Sequence, residues 1–250
     1  MIEDENELAE ALDAFFAEGL ITEVLHVVRS GKEATVYCCA AGAQTGRELL
    51  AAKVYRPLEE RSFRNDAIYQ AGRNRPLGRR DKLAIERKSR HGRSMQFGVW
   101  INSEYQTLQM MRTAGAQVPE PISRSQSAIL MEYFGDASGA APMLSRVSLS
   151  RGEAEPCLRA IFHTVALLLE NHFVHGDLSP YNILYWSGAP VVIDFPQAVD
   201  ARFNPNAQEL LERDLDNVCG YFSRFGIRAD GRRLADEMWR RYRAGMLQTG

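Results

Sequence analysis

The apolar positions of the chain change period several times, and those changes predict its elements. Residues 5–19 carry Leu8, Leu12, Phe15 and Phe16 at helical spacing with Gly19 as a stop, which predicts one short amphipathic helix. β-Branched and aromatic runs follow at 24–29, 35–39 and 49–55, separated by Ser30-Gly31 and by a turn region at 42–46; they predict three strands in an antiparallel meander. From 99 to 114, Ile101, Tyr105, Leu108 and Met111 step by four, three and three along a helix face that Pro119 and Pro121 end. A further strand is expected at 127–133. Leu158, Ile161, Phe162, Val165, Leu168 and Leu169 then mark a strongly amphipathic helix. Short strands at 183–186 and 190–194 flank a Ser187-Gly188 turn, and the remainder predicts helices at 207–225 and 229–247. The expected fold is α+β: a helical extension at 1–20, a small antiparallel-sheet half at 21–134 and a mostly helical half at 135–250. No internal repeat is present.

The helix at 158–169 runs into His175-Gly176-Asp177-Leu178-Ser179-Pro180-Tyr181-Asn182, and the following hairpin ends in Asp194. In phosphoryl transfer by kinases, a loop aspartate accepts the proton of the attacking hydroxyl. An asparagine five positions on, and an aspartate after the next hairpin, hold metal. Asp177, Asn182 and Asp194 occupy those three places. Their hard oxygen donors suit Mg²⁺, which keeps several waters and takes one or two carboxylates from protein. The competing reading is a plain Asp/Asn turn, since both residues favour turns by bonding their own backbone; the ordered loop, strand, turn and strand argue against it.

Lys53 lies in the apolar run at 50–55, where an ammonium group is costly to bury without a partner. In the kinase arrangement its anions are the α and β phosphates, and a glutamate on the next helix steadies it. Glu104, three residues after Ile101 and four before Leu108, shares the inward face of its helix and is the candidate. The turn at 29–35 stands where a kinase keeps its phosphate-covering loop, yet it has a single glycine, so Ser30, Lys32 and main-chain N–H groups are expected to share that work. Met131, Glu132 and Phe134 end the strand that straps the two halves, a place from which main-chain groups could meet adenine.

Composition adds limits. With 250 residues, 45% apolar and a net charge of -2, the chain can bury a real core and has no global attraction for nucleic acid. Cys38, Cys39, Cys157 and Cys219 form no Cys-x-x-Cys pair and no disulfide framework, which points to a reducing cytoplasm. No apolar run reaches the roughly 18 residues of a spanning helix, and the acidic start lacks signal-peptide features, so no membrane association is expected.

The segments Ser30-Gly31-Lys32-Glu33-Ala34-Thr35-Val36-Tyr37, Ala52-Lys53-Val54-Tyr55, the loop 175–182 and Ile193-Asp194-Phe195-Pro196-Gln197-Ala198-Val199 resemble the RIO family of atypical serine/threonine protein kinases. The glycine-poor turn and Ser179, at the place of a lysine in ordinary protein kinases, are its specific marks. The resemblance implies a bilobal protein-kinase-like fold without the usual activation segment. It also implies ATP and Mg²⁺ (or Mn²⁺) as cofactors, autophosphorylation on serine, and in some members an aspartyl-phosphate on the residue matching Asp194. Ser30, Lys32, Val36, Lys53, Met131, Glu132 and Phe134 are then nucleotide-binding, Asp177, Lys53 and Glu104 catalytic, and Asn182 and Asp194 metal-binding. Asp214 resembles the helix aspartate that holds the catalytic loop. Gly176 departs from the family, and His-Gly-Asp is shared with aminoglycoside-type phosphotransferases.

Few residues and no Ala-Pro-Glu lie between Asp194 and the helix at 207. Between Lys53 and Glu104, by contrast, residues 56–98 hold twelve Arg or Lys against five Asp or Glu. This basic insertion reads either as a solvated loop or as a contact for RNA or a ribonucleoprotein. A small-molecule kinase and a nucleotide-gated assembly factor are the rival functions, and the protein substrate is left open.

Overall fold

β-Branched and small apolar residues dominate three early runs, and in the computed structural model, which describes residues 5–56, 90–136 and 138–247, they pair as one sheet. Helix α1 (Glu5–Ala17) precedes strands β1 (Ile21–Ser30), β2 (Ala34–Ala41) and β3 (Leu49–Tyr55); helix α2 (Arg90–Thr113), β4 (Pro121–Arg124) and β5 (Ala128–Glu132) follow. All pairings are antiparallel in the order β1-β2-β3-β5-β4.

Register decides which side chains share a face, because residues directly opposite one another project to the same side. Val36 pairs with Lys53 and Lys53 with Ile129, while Cys38 pairs with Ala51 and Ala51 with Met131. These six form one face. The other face carries Tyr37, Cys39, Leu50, Ala52, Val54, Ala128 and Leu130, packed with Ala11, Leu12 and Phe15 of α1 into a single buried cluster. Helix α1 is therefore part of the sheet's core rather than an appendage. Edge strand β1 departs from regular register at three points and leaves Leu25 and Val27 exposed at 42% and 53%.

The structure differs from the sequence reading at three elements. β4 was not expected, since Pro121 counts as a breaker; as the first residue of an edge strand, a proline loses no ladder bond. α2 begins at Arg90 instead of 99. The added turns contain Gly92 and Gly98 and few apolar residues, so no stripe betrays them. The last part of the basic insertion, 90–98, is thus helical, and 57–89 lies outside the described residues. The hairpin strand expected to reach Asp194 ends at Val192; the Ile193 N–H still bonds the Asn182 carbonyl opposite it at 3.0 Å, but Asp194 at φ 72° leaves the extended conformation.

A two-residue hairpin, β6 (Gly135–Asp136) with β7 (Gly139–Ala140), closes this first unit, which takes in described residues to 56, 90–109 and 119–140. A Cβ on Gly135 would lie 2.5 Å from the Gly139 carbonyl, so only glycine fits.

The second unit holds 110–118 and 141–247. Helix α3 (Arg151–Glu170) starts at a capping box in which Ser150 accepts from the Glu153 N–H and the Glu153 carboxylate accepts from the Ser150 N–H. It buries Leu158, Ile161, Val165, Leu168 and Leu169. β8 (Phe173–Val174) pairs with β11 (Val199–Asp200), and β9 (Ile183–Trp186) with β10 (Ala189–Val192). The β9–β10 turn places Ser187 and Gly188 at φ 50° and 83°, both left-handed as a tight hairpin requires. Helices α4 (Ala207–Phe222) and α5 (Gly231–Arg243) complete it, each shorter than its sequence pattern suggested.

Candidate functional site

Two clusters of polar side chains stand out, one in each unit. In the first, the Lys53 Nζ donates to Glu104 Oε1 at 2.7 Å, and the Tyr55 hydroxyl donates to Glu104 Oε2 at 2.7 Å. Both charged side chains are almost wholly buried, 9% and 2% exposed. Lys53 also lies 5.2 Å above the Tyr55 ring, which meets Trp100 edge-on at 5.0 Å. Tyr55 was missed from sequence, although its place two residues after Lys53 on one strand puts both on the same face. Removing one member of a buried ion pair strands the other. Glu104→Ala should therefore lower unfolding free energy by about 3–5 kcal/mol, read from a denaturant titration; a loss below about 1 kcal/mol would mean the pair is solvated as surface pairs are.

Val36 and Met131 share the face of Lys53. Glu132 does not: its side chain lies 3.4 Å from Arg47 and accepts from the Glu120 N–H, and its own N–H donates to the Glu120 carbonyl. Phe134 is half-buried in the loop after β5. At the glycine-poor turn, the Ser30 hydroxyl bonds Thr35 at 3.2 Å and accepts from Arg56 at 3.0 Å, while Gly31 N–H donates to the Ala34 carbonyl. Side chains thus help close this turn, which holds a single glycine. Lys32 is exposed at its tip.

The second cluster is the loop 175–182. Asp214, buried in α4, accepts from the Gly176 and Leu178 N–H groups at 2.8 and 2.9 Å. The Asn182 amide nitrogen donates to the Asp177 carbonyl at 2.8 Å and to its carboxylate at 3.1 Å. The other end of that amide is an oxygen, the hard donor a magnesium ion takes. His175, expected as a packed loop residue, is 2% exposed. Its Nδ1 accepts from the Asp177 N–H at 3.3 Å, so Nε2 carries the proton and donates to the Ile193 carbonyl at 3.1 Å. The ring also lies 4.8 Å from Phe195. Asp194, between those two contacts, is held at φ 72°, a left-handed conformation that aspartate tolerates better than most residues.

Burial raises the Asp177 carboxyl above its ordinary value and the Asp194 charge adds to this; the Asn182 bond and Arg213 pull it down. Two carboxylates that feel each other in this way are a place for a cation. Among the described residues no group of three or more His, Cys, Asp or Glu is placed to hold a metal ion.

Burial pushes Asp214 from 3.8 up to about 7, against the pull of its two N–H bonds and of Arg213. A carboxyl raised on folding binds more protons folded than unfolded, so its contribution to stability falls as pH rises from 3.8 to about 7. Asp214→Asn should flatten that part of the stability–pH curve. An unchanged slope in urea midpoints across this window would refute the assignment.

A strand unit with a buried Lys–Glu pair, joined in one chain to a helical unit bearing an Asp–Asn loop, defines a protein-kinase-like fold. Solved structures of the Rio2 kinase from Chaetomium thermophilum agree: one, an ADP/Mg²⁺-phosphoaspartate complex, matches with TM-score 0.61 at 20% identity over 96% of this chain and 73% of that one. The RIO domain family model matches residues 35–234, and the chain belongs to that family. It is 32% identical over 206 residues to the RIO-type serine/threonine-protein kinase Rio1 of Haloferax volcanii, covering 82% of this chain and 64% of that protein. Against the serine/threonine-protein kinase RIO1 of Homo sapiens it is 31% identical over 216 residues, 84% of this chain and 35% of that protein. The chain thus spans less than two thirds of the length of these relatives.

Proposed function

We propose that this chain is an ATP- and Mg²⁺-dependent serine/threonine protein kinase of RIO type that phosphorylates itself. The observation that carries the reading is the loop held by Asp214, with the Asp177 carboxylate bonded to Asn182 and within reach of the Asp194 charge. Asn182 and Asp194 would hold Mg²⁺, or Mn²⁺, which when bound neutralises phosphate charge. Lys53, steadied by Glu104 and Tyr55, holds the α and β phosphates. Val36 and Met131 form the apolar wall for adenine, Glu132 and Phe134 offer main-chain groups, and the Ser30–Lys32 turn lies over the phosphates.

Asp177 orients the acceptor hydroxyl and takes its proton. The hydroxyl oxygen bonds the γ phosphorus, the bond from that phosphorus to the bridging β–γ oxygen breaks, and ADP leaves. A second route replaces the hydroxyl by the Asp194 carboxylate; water then hydrolyses the aspartyl-phosphate, giving ATPase turnover. The phosphoaspartate of the Rio2 complex from Chaetomium thermophilum supports that route.

No helix among the described residues is long and apolar enough to cross a membrane, and all four cysteines are buried free thiols. Both fit a cytoplasmic location. The basic insertion 56–98 is the candidate contact for RNA or a ribonucleoprotein. γ-Labelled ATP incubated with the protein alone, then with sugars and aminoglycosides, tests the whole reading. Label on serine or on an acid-stable aspartyl derivative supports it; no self-labelling with rapid turnover of a small molecule would replace it with a small-molecule kinase.

A further inference from the structure

All four main-chain polar groups of the two neighbours of Asp177 are held by one helix. The Gly176 N–H goes to Asp214 Oδ2 and the Leu178 N–H to Asp214 Oδ1. The two carbonyls are taken by different residues: Arg213 donates to the Gly176 oxygen, and Asn217 donates to the Leu178 oxygen at 3.2 Å. Positions 213, 214 and 217 lie on one turn of α4, at i, i+1 and i+4.

The carbonyl bonds reach peptides that the carboxylate does not. The Gly176 N–H lies on the peptide 175–176 and the Leu178 N–H on 177–178, both held by Asp214, whereas the Gly176 carbonyl lies on 176–177 and the Leu178 carbonyl on 178–179, held by Arg213 and Asn217. Four successive peptides are thus gripped from one helix, and the Cα of Asp177 lies at the middle of them. Gly176 stands at φ 79°, where a left-handed turn brings its carbonyl round to Arg213 and where a Cβ would be strained. The departure of Gly176 from the family pattern then has a local cause: this loop trades a side chain at 176 for a backbone turn that α4 can grip.

We propose that Arg213 and Asn217 are positioning residues that, with Asp214, clamp the four successive peptides from 175–176 to 178–179 and so aim the Asp177 carboxylate. The proposal rests on the phosphotransferase reading and deepens it. Neither residue touches the reacting atoms; both act through Asp177. Misplacement of a reacting group by about 1 Å can cost on the order of 10²-fold in rate, and loss of a supporting bond about 10- to 100-fold.

The test is single-turnover transfer from γ-labelled ATP with Mg²⁺, by wild type, Arg213→Met, Arg213→Lys and Asn217→Leu, each in the native chain and in Asp177→Ala. In the native chain, Arg213→Met and Asn217→Leu should lower the transfer rate about 10- to 100-fold with the KM for ATP unchanged, and Arg213→Lys should recover part of it. In the Asp177→Ala background they should lower the residual rate by less than about twofold, because their effect passes through a carboxylate already gone. An equal loss in both backgrounds, an unchanged native rate, or a KM rising in step with the fall in rate overturns the clamp alone. A wild type that transfers no phosphate overturns the phosphotransferase reading and the clamp with it.

Discussion

Asp177→Ala should lower phosphoryl transfer by about 10²- to 10⁴-fold, the range that a positioned general base contributes, while ATP still binds. The loop itself should survive the change. Its shape is set by the Asp214 bonds to Gly176 and Leu178, and by the Asn182 bond to the Asp177 carbonyl; none of these needs the Asp177 carboxylate. Loss of the charge also relieves the repulsion from Asp194. Calorimetry with ATP and Mg²⁺ alongside labelled transfer separates the two effects. A variant as active as wild type would remove Asp177 from the reaction, and a variant that no longer binds nucleotide would make it a binding residue instead.

Asp194→Ala should abolish the part of ATP affinity that depends on Mg²⁺, a loss larger than the roughly 10- to 100-fold that follows when only a ligand's supporting partner is removed. Alanine brings a complication at this position. Asp194 sits at φ 72°, and a residue with a Cβ but no polar side chain is strained there by about 1–3 kcal/mol. Asn tolerates the same backbone and keeps an oxygen while discarding the charge. Asp194→Asn should therefore fold like wild type and still lose most magnesium-dependent binding. If both variants bind ATP and Mg²⁺ as wild type does, Asp194 is not a metal ligand. If only alanine fails, the backbone and not the carboxylate was at issue.

The elements that sequence revealed are those whose side chains alternate with a clear period. Lys53 interrupts an apolar strand and Glu104 falls on the inward stripe of its helix, so their meeting could be foreseen, and the structure brings them to 2.7 Å. The loop 175–182 stood out because its residue types are unusual in that order. What stayed hidden depends on partners distant in the chain. Tyr55 reads as one more strand aromatic until Glu104 is seen to take its hydroxyl. The Glu132 side chain faces away from Met131 as neighbours on a strand do, but that Arg47 and the Glu120 N–H meet it there is not written in the local pattern. Arg213 and Asn217 are ordinary polar helix residues by sequence; their partners are backbone carbonyls, which every residue possesses and which therefore leave no mark in the residue string.

The irregular pairing of β1 bears on how the molecule behaves in a crowded solution. A ten-residue outer strand with Leu25 and Val27 uncovered has the makings of a seed for intermolecular stacking. Its three breaks in register crimp and twist that rim, so that a straight foreign strand cannot zip along its full length. Crimps of this kind work against edge-to-edge stacking without requiring the two greasy side chains to be exchanged for charged ones.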